Sequence, residues 1–310
     1  MGVFVFLPLI LPLTALPIAR LAEQHLHPRT AALLLTWAGA ILAACSTLCL
    51  GLLVVVGTAQ LPGNPLPDSW SDPEVREAVP YDEVAGKASI GALALVVAAC
   101  TLALRRHYGF RARAHRTLAA HPEGSQVAVL ADEMPYAYAL PGSPGRILVS
   151  TGMLSSLNQA ERRALLAHER AHLAGRHHRL LLTVRLAGCA NPLLRPFRAA
   201  VEYSTERWAD EEAARVTGDR RTTARAVGKA ALISRRAAVP GLAAFAEAGP
   251  VPRRVAALLG PVPPAGGWPP ALTAAGAAAI VAAAGTAASA LSALNAAIAL
   301  FLVLQSATYG

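Results

Sequence analysis

The chain has 310 residues, 54% hydrophobic and only 15% charged, a balance well short of the about one-quarter charged content of soluble domains and shifted toward membrane proteins. Its net charge of +9 suits either nucleic acid or a lipid surface, and the clustering of the cations beside apolar segments favours lipid. The four cysteines, Cys45, Cys49, Cys100 and Cys189, all sit in apolar stretches without a CxxC pair, which excludes a cysteine zinc site or redox couple and leaves them as small packing residues.

In chain order, the first apolar run lies at 3–19. It carries no charge, and no cation precedes it as a cleaved secretory signal would require, so a retained span is expected, kinked at Pro8, Pro12 and Pro17. Second and third spans are expected at 32–57 and 88–104, each near the ~20 apolar residues that cross a bilayer. The loop between them, 58–86, contains Asp68, Asp72, Glu74, Glu77, Asp82 and Glu83 against Arg76, whereas the flank after the third span reads RRHYGFRARAHR. The positive-inside rule then puts the N-terminus and the acidic loop outside the cell and residues 105–254 in the cytoplasm. Beyond Arg254 no charged residue follows; 255–310 reads as a linker and one long C-terminal span.

Within 105–254, the segments at 126–131, 137–140 and 146–150 read as short strands separated by Pro-Gly turns. Asn158 and Glu161 form an N-cap and capping-box pattern, opening a helix that stops near Gly175. Inside it lies His168-Glu169-Arg170-Ala171-His172. Residues i and i+4 share one helix face, so both imidazoles can reach one zinc ion, and Glu169 can serve as general base toward water activated there. From this composition, HExxH arises by chance in about one such chain in a hundred; the bland alternative is a solvated helix with two surface histidines.

A catalytic zinc wants a third protein ligand. One source is the run from Glu202 to Asp210, in which Glu202, Glu206 and Asp210 share a helix face; Glu206 as ligand leaves Asp210 to orient a ligating histidine. The other is His178, which completes HExxHxxGxxH. That pattern implies a metzincin, which needs a methionine turn downstream, and the methionines Met1, Met134 and Met153 all lie upstream. His177 reads only as one of several basic residues beside a membrane surface.

The run ILVSTGMLSSLNQAERRALLAHERAHL followed by ERWAD resembles the M48 and M56 membrane metallopeptidases, the latter including the integral membrane β-lactam sensor-transducers. The resemblance implies an α-helical membrane protein of about four transmembrane helices with a cytoplasmic α+β gluzincin domain. It implies one zinc per chain held by His168, His172 and Glu206, with Glu169 as base and Asp210 orienting a histidine. The sensor-transducers carry a penicillin-binding domain after their last span; no SxxK sensor segment follows here, so acylation by a β-lactam is not expected. An extended substrate is expected to pair with an edge strand at Ala137, Tyr138 and Ala139, and Tyr203 is a candidate donor to the oxyanion.

The resulting expectation is a zinc endopeptidase of the plasma membrane acting on a protein or peptide, such as a transcriptional repressor or a misfolded membrane protein, with lipid but no nucleic acid as partner. A zinc-holding scaffold without catalysis is the rival, and Glu169 argues against it because a structural site needs no base. An intramembrane site is disfavoured by Glu161, Arg162, Arg163, Arg170 and Arg176 around the motif. The stretch 180–194 reads as a core or surface helix.

Overall fold

The computed structural model describes residues 2–59, 82–119, 125–236, 251–263 and 272–309, together with positions 61, 63, 66, 67, 70 and 270. Most of the acidic loop 58–86 lies outside these residues. Among the described residues, three helices are long and apolar enough to cross a membrane: Pro28–Ala59, Val84–Arg116 and Ala279–Thr308. They belong to helices α3 (Pro28–Ala59), α4 (Asp82–Ala119) and α11 (Ala274–Tyr309). The second, third and last expected spans fall within them. The C-terminal apolar stretch is one continuous helix rather than a hairpin.

The first apolar run differs from a single kinked span. It is divided into a 3-10 turn at Gly2–Val5, α1 at Leu7–Ile10, a second 3-10 turn at Leu11–Thr14, and α2 at Ala15–His25. Each proline lacks the N–H that would bond the carbonyl four residues earlier. Pro8 therefore frees the carbonyl of Phe4, and Ser292 Oγ donates to it at 2.6 Å. Pro12 frees that of Pro8, and Ser46 Oγ donates to it at 2.6 Å. Asn191 Nδ2 donates to Leu9 O at 3.2 Å and to Ser46 Oγ at 3.1 Å. Side chains from two other helices and the link at Asn191 thus bond the broken run, the condition under which irregular backbone is tolerated at membrane depth.

At one end of the molecule α3 and α4 touch backbone to backbone, because a Cβ on either Gly57 or Gly86 would overlap the other's main chain. Trp70 Nε1 donates to Thr308 Oγ1 at 3.1 Å, so the far end of α11 lies near the loop that joins these two helices.

Strands β1 (Val127–Leu130), β2 (Ala137–Leu140) and β3 (Arg146–Ser150) form a sheet in the order β1-β3-β2, with β1 parallel and β2 antiparallel to β3. Central β3 is covered on both faces, so Ile147, Leu148 and Val149 are all fully buried. Leu148 joins Ala114 of α4, Ala128 and Leu140, while Val149 joins Met153, Leu157 and Leu165 of the following helices. Those helices are α5 (Thr151–Ser155) and α6 (Gln159–Ala174). Then come α7 (His177–Ala190), α8 (Arg195–Thr217), α9 (Arg220–Arg236) and α10 (Val251–Leu259).

The largest hydrophobic core joins Val184 and Ala187 of α7 and Phe197, Ala200 and Val201 of α8 to Ile18 of α2, Leu35 and Leu42 of α3 and Ala282 of α11. Helices that carry the motif region and helices long enough to span therefore share one interior. α4 likewise runs without a break through residue 104, where the sequence suggests a boundary.

Candidate metal centre

Helix α6 presents the motif. It begins with the expected capping box, Glu161 N donating to Asn158 Oδ1 at 2.9 Å and Asn158 N to Glu161 Oε2 at 3.0 Å. Its four-residue step places His168 and His172 on the face turned toward α8, where Glu206 lies. The Nε2 atoms of His168 and His172 are 3.1 Å apart. Glu206 Oε2 is 3.6 Å from the first and Glu206 Oε1 is 3.4 Å from the second.

Ligands about 2.0–2.1 Å from a tetrahedral zinc stand roughly 3.3 Å apart. The two imidazoles and the Glu206 carboxylate approach one another at distances of that order, with one donor atom from each within 4.8 Å of the others, so His168, His172 and Glu206 make a cluster that could hold a metal ion. Two imidazoles and one carboxylate are also a donor set for a zinc that keeps a fourth position open. The residues present fit the ion.

Behind the cluster, Asp210 is fully buried one turn after Glu206, and its Oδ1 lies 3.1 Å from His168 Nδ1. Two carboxylates in one helix turn, one buried and one partly buried, demand a counter-charge, and Arg254 of α10 supplies it. Its Nε and Nη2 donate to Asp210 Oδ2 and Oδ1 at 2.8 and 2.6 Å, and its Nη1 reaches Glu206 Oε2 at 2.7 Å. Arg254 is 3% exposed, dry enough for this fork to matter. Burial would raise both carboxyls, but Arg254 and the histidines outweigh it and hold Glu206 and Asp210 below their usual range. Burial would lower His168, yet Asp210 and Glu206 hold it up; burial prevails at His172 and pulls it down.

Glu169 is buried beside its neighbours, and burial pushes its carboxyl up to about 6. It accepts a backbone hydrogen bond from Ala139. That bond turns the Ala139 N–H away from β3, and by the two-residue alternation of a strand Ala137 shares the orientation. Among the described strands β2 pairs only with β3, so Ala137, Tyr138 and Ala139 form a sheet edge next to the motif helix.

The competing ligands are not in the cluster. Glu202 pairs with Arg198 at 2.7 Å. His178 is lowered to about 4 by burial and by the charges of Arg111 and Arg179, a setting near α4 and away from the cluster, so the metzincin geometry is absent from this site. Tyr203 is buried with the Arg253 guanidinium 4.1 Å over its ring.

Sequence reading missed Arg254 and His177. Arg254 signalled itself only as the last charge in the chain, and the buried Asp210 with the partly buried Glu206 required some cation without naming it. His177 is buried, with its Nδ1 2.9 Å from His172 Nδ1.

Against known families, residues 105–186 match the family model of Peptidase family M48. The match covers about a quarter of the chain, from the end of α4 through most of α7, and stops before Glu206 and Asp210. No curated protein and no solved structure matches the chain. An M48 peptidase segment and a His-His-Glu cluster thus occur together in a helical protein with three spans' worth of apolar helix.

Proposed function

We propose that this protein is a multi-pass membrane zinc endopeptidase of gluzincin type, with its site on the cytoplasmic side of the plasma membrane. The observation that carries the reading is the triangle of donors from His168, His172 and Glu206 with Glu169 at the adjoining strand edge.

Bound by those three residues, zinc would supply Lewis acidity that activates water and polarises a peptide carbonyl. Asp210 orients the His168 ring and Arg254 balances the carboxylates. Glu169, raised toward neutrality, is suited to take a proton from the attacking water and deliver it to the leaving amine. An extended substrate adds to the β2 edge at Ala137, Tyr138 and Ala139, where the outward main-chain groups other than the Ala139 N–H held by Glu169 give affinity without demanding one sequence. Tyr203, on α8 just before Glu206, is the candidate donor to the developing oxyanion. The substrate class is a cytoplasmic or membrane-associated protein, a repressor or a misfolded membrane protein among them; no nucleic acid is involved. A scaffold that merely holds zinc has no use for a buried carboxylate at 169.

The test is zinc content by elemental mass spectrometry together with cleavage of unstructured fluorogenic peptides by the full chain in detergent. Wild type should hold one zinc per chain and Glu206→Gln little. Glu169→Gln should keep its zinc while losing about 10²-fold or more in cleavage rate. A metal-replete wild type without zinc would refute the reading.

A further inference from the structure

Helices α6 and α7 are joined by only Gly175 and Arg176. Arg176 adopts the left-handed conformation, φ 50° and ψ 38°, which costs a non-glycine residue about 1–2 kcal/mol. The turn makes His177 the first residue of α7 and aims it back at α6. Its ring stands edge-on to that of His172, with centroids 4.8 Å apart. Gly175 makes room for it, since a Cβ there would overlap the His177 ring.

His172 turns Nε2 toward the cluster. A neutral imidazole has one proton, so a ring that offers Nε2 to a metal carries its proton on Nδ1 and must give it to an acceptor. The acceptor in reach is His177 Nδ1 at 2.9 Å. His177 then carries its own proton on Nε2, and the two rings lock each other's tautomers. Behind His177 lies Trp208 of α8, with ring centroids 4.5 Å apart, and over Trp208 lies the Arg29 guanidinium at 5.3 Å. Arg29 belongs to the first turn of α3, whose apolar length is sufficient to span a bilayer.

Packing alone does not account for this arrangement. Leucine or phenylalanine would fill the space, and neither needs a strained link that brings two ring nitrogens to hydrogen-bonding distance.

We propose that His177 is a positioning residue of the metal site: its Nδ1 accepts the Nδ1 proton of His172 and fixes that ligand's ring, while Trp208 and Arg29 brace His177 from the first turn of α3. The proposal rests on the metal-site reading above. It gives the two histidine ligands different supports, a carboxylate for His168 and a neutral imidazole for His172. It also makes the start of a membrane helix part of the site's outer wall.

Asparagine places an acceptor where His177 has Nδ1, whereas glutamine places it one bond further out. The test compares zinc affinity, by competition with a chromophoric chelator, for the full-length wild type, His177→Asn, His177→Gln and His177→Phe, with the thermal stability of each metal-stripped form beside it. Expected is a loss of affinity of about 10–100-fold in the Phe and Gln variants and recovery to within a few-fold of wild type in the Asn variant. Arg29→Met, which leaves the site residues in place, should weaken zinc by a smaller factor in the same direction. Equal affinity in all three His177 variants and wild type, or Gln retaining zinc as well as Asn, overturns the proposal and leaves the peptidase reading standing. If Phe fails to fold, the Asn–Gln contrast still decides. A wild type that binds no zinc defeats the reading beneath both.

Discussion

At the scale of single residues, the site is a problem in charge. Glu206 and Asp210 lie one turn apart, Asp210 fully buried and Glu206 partly so, and the forked Arg254 guanidinium together with the histidines holds both carboxyls below their usual range. Removing one member of a buried ion group leaves the others uncompensated, at a cost of about 3–5 kcal/mol. Arg254→Ala should therefore lower both melting temperature and zinc affinity in detergent. Arg254→Lys should rescue little of either, since a single ammonium cannot make three forked contacts; full recovery with lysine would reduce the fork to a point charge. The motif residues His168, Glu169 and His172 were legible because helix periodicity alone brings i and i+4 together. His177 was not, because its orientation depends on a left-handed residue that composition does not announce.

At the scale of elements, α6 is the piece most nearly determined by its own sequence. Asn158 and Glu161 form both hydrogen bonds of the capping box, and Lys229 of α9 adds an ion pair to Glu161 at 2.8 Å. Burial would raise the Glu161 carboxyl, but Lys229 and the Asn158 N–H outweigh it and hold it below its usual value. A carboxyl lowered in the folded state contributes stability above its unfolded pKa and loses that contribution as pH falls through the folded one. Glu161→Gln should cost about 1–2 kcal/mol at pH 7, and the gap from wild type should narrow as pH drops below about 4. Chemical denaturation at several pH values measures it, and a gap independent of pH would remove Lys229 from the account. The first apolar run shows the opposite case. Its prolines were visible, but which hydroxyls would bond the freed carbonyls was not, because Ser46 and Ser292 come from other parts of the chain.

At the scale of the molecule, the helices bearing the site share a core with α2 and α3. A second tie runs through Arg253, which pairs with Glu23 of α2 at 2.6 Å while covering the Tyr203 ring. A fragment beginning at residue 105 exposes Val184, Phe197, Ala200 and Val201, each fully buried in the whole chain or within 1% of it. At roughly 25 cal/mol per Å² of apolar surface, losing that cover removes several kcal/mol. Such a fragment should be protease-sensitive and bind zinc poorly, whereas the full chain resists cleavage; a stable, zinc-binding fragment would show that the shared core is dispensable.

The sequence by itself determined what depends on local spacing and bulk character: three of its four expected spans as helices long and apolar enough to cross a membrane, a small sheet before a capped helix, and HExxH on one face of that helix. Such features follow from periods of 2 and 3.6 residues and from the apolar length a bilayer requires. Only the tertiary structure decided that Glu206 rather than His178 or Glu202 meets the two histidines, and that Arg254, far along the chain, pairs with Glu206 and Asp210. These choices depend on how separate helices pack, and a one-dimensional pattern carries no distance between them.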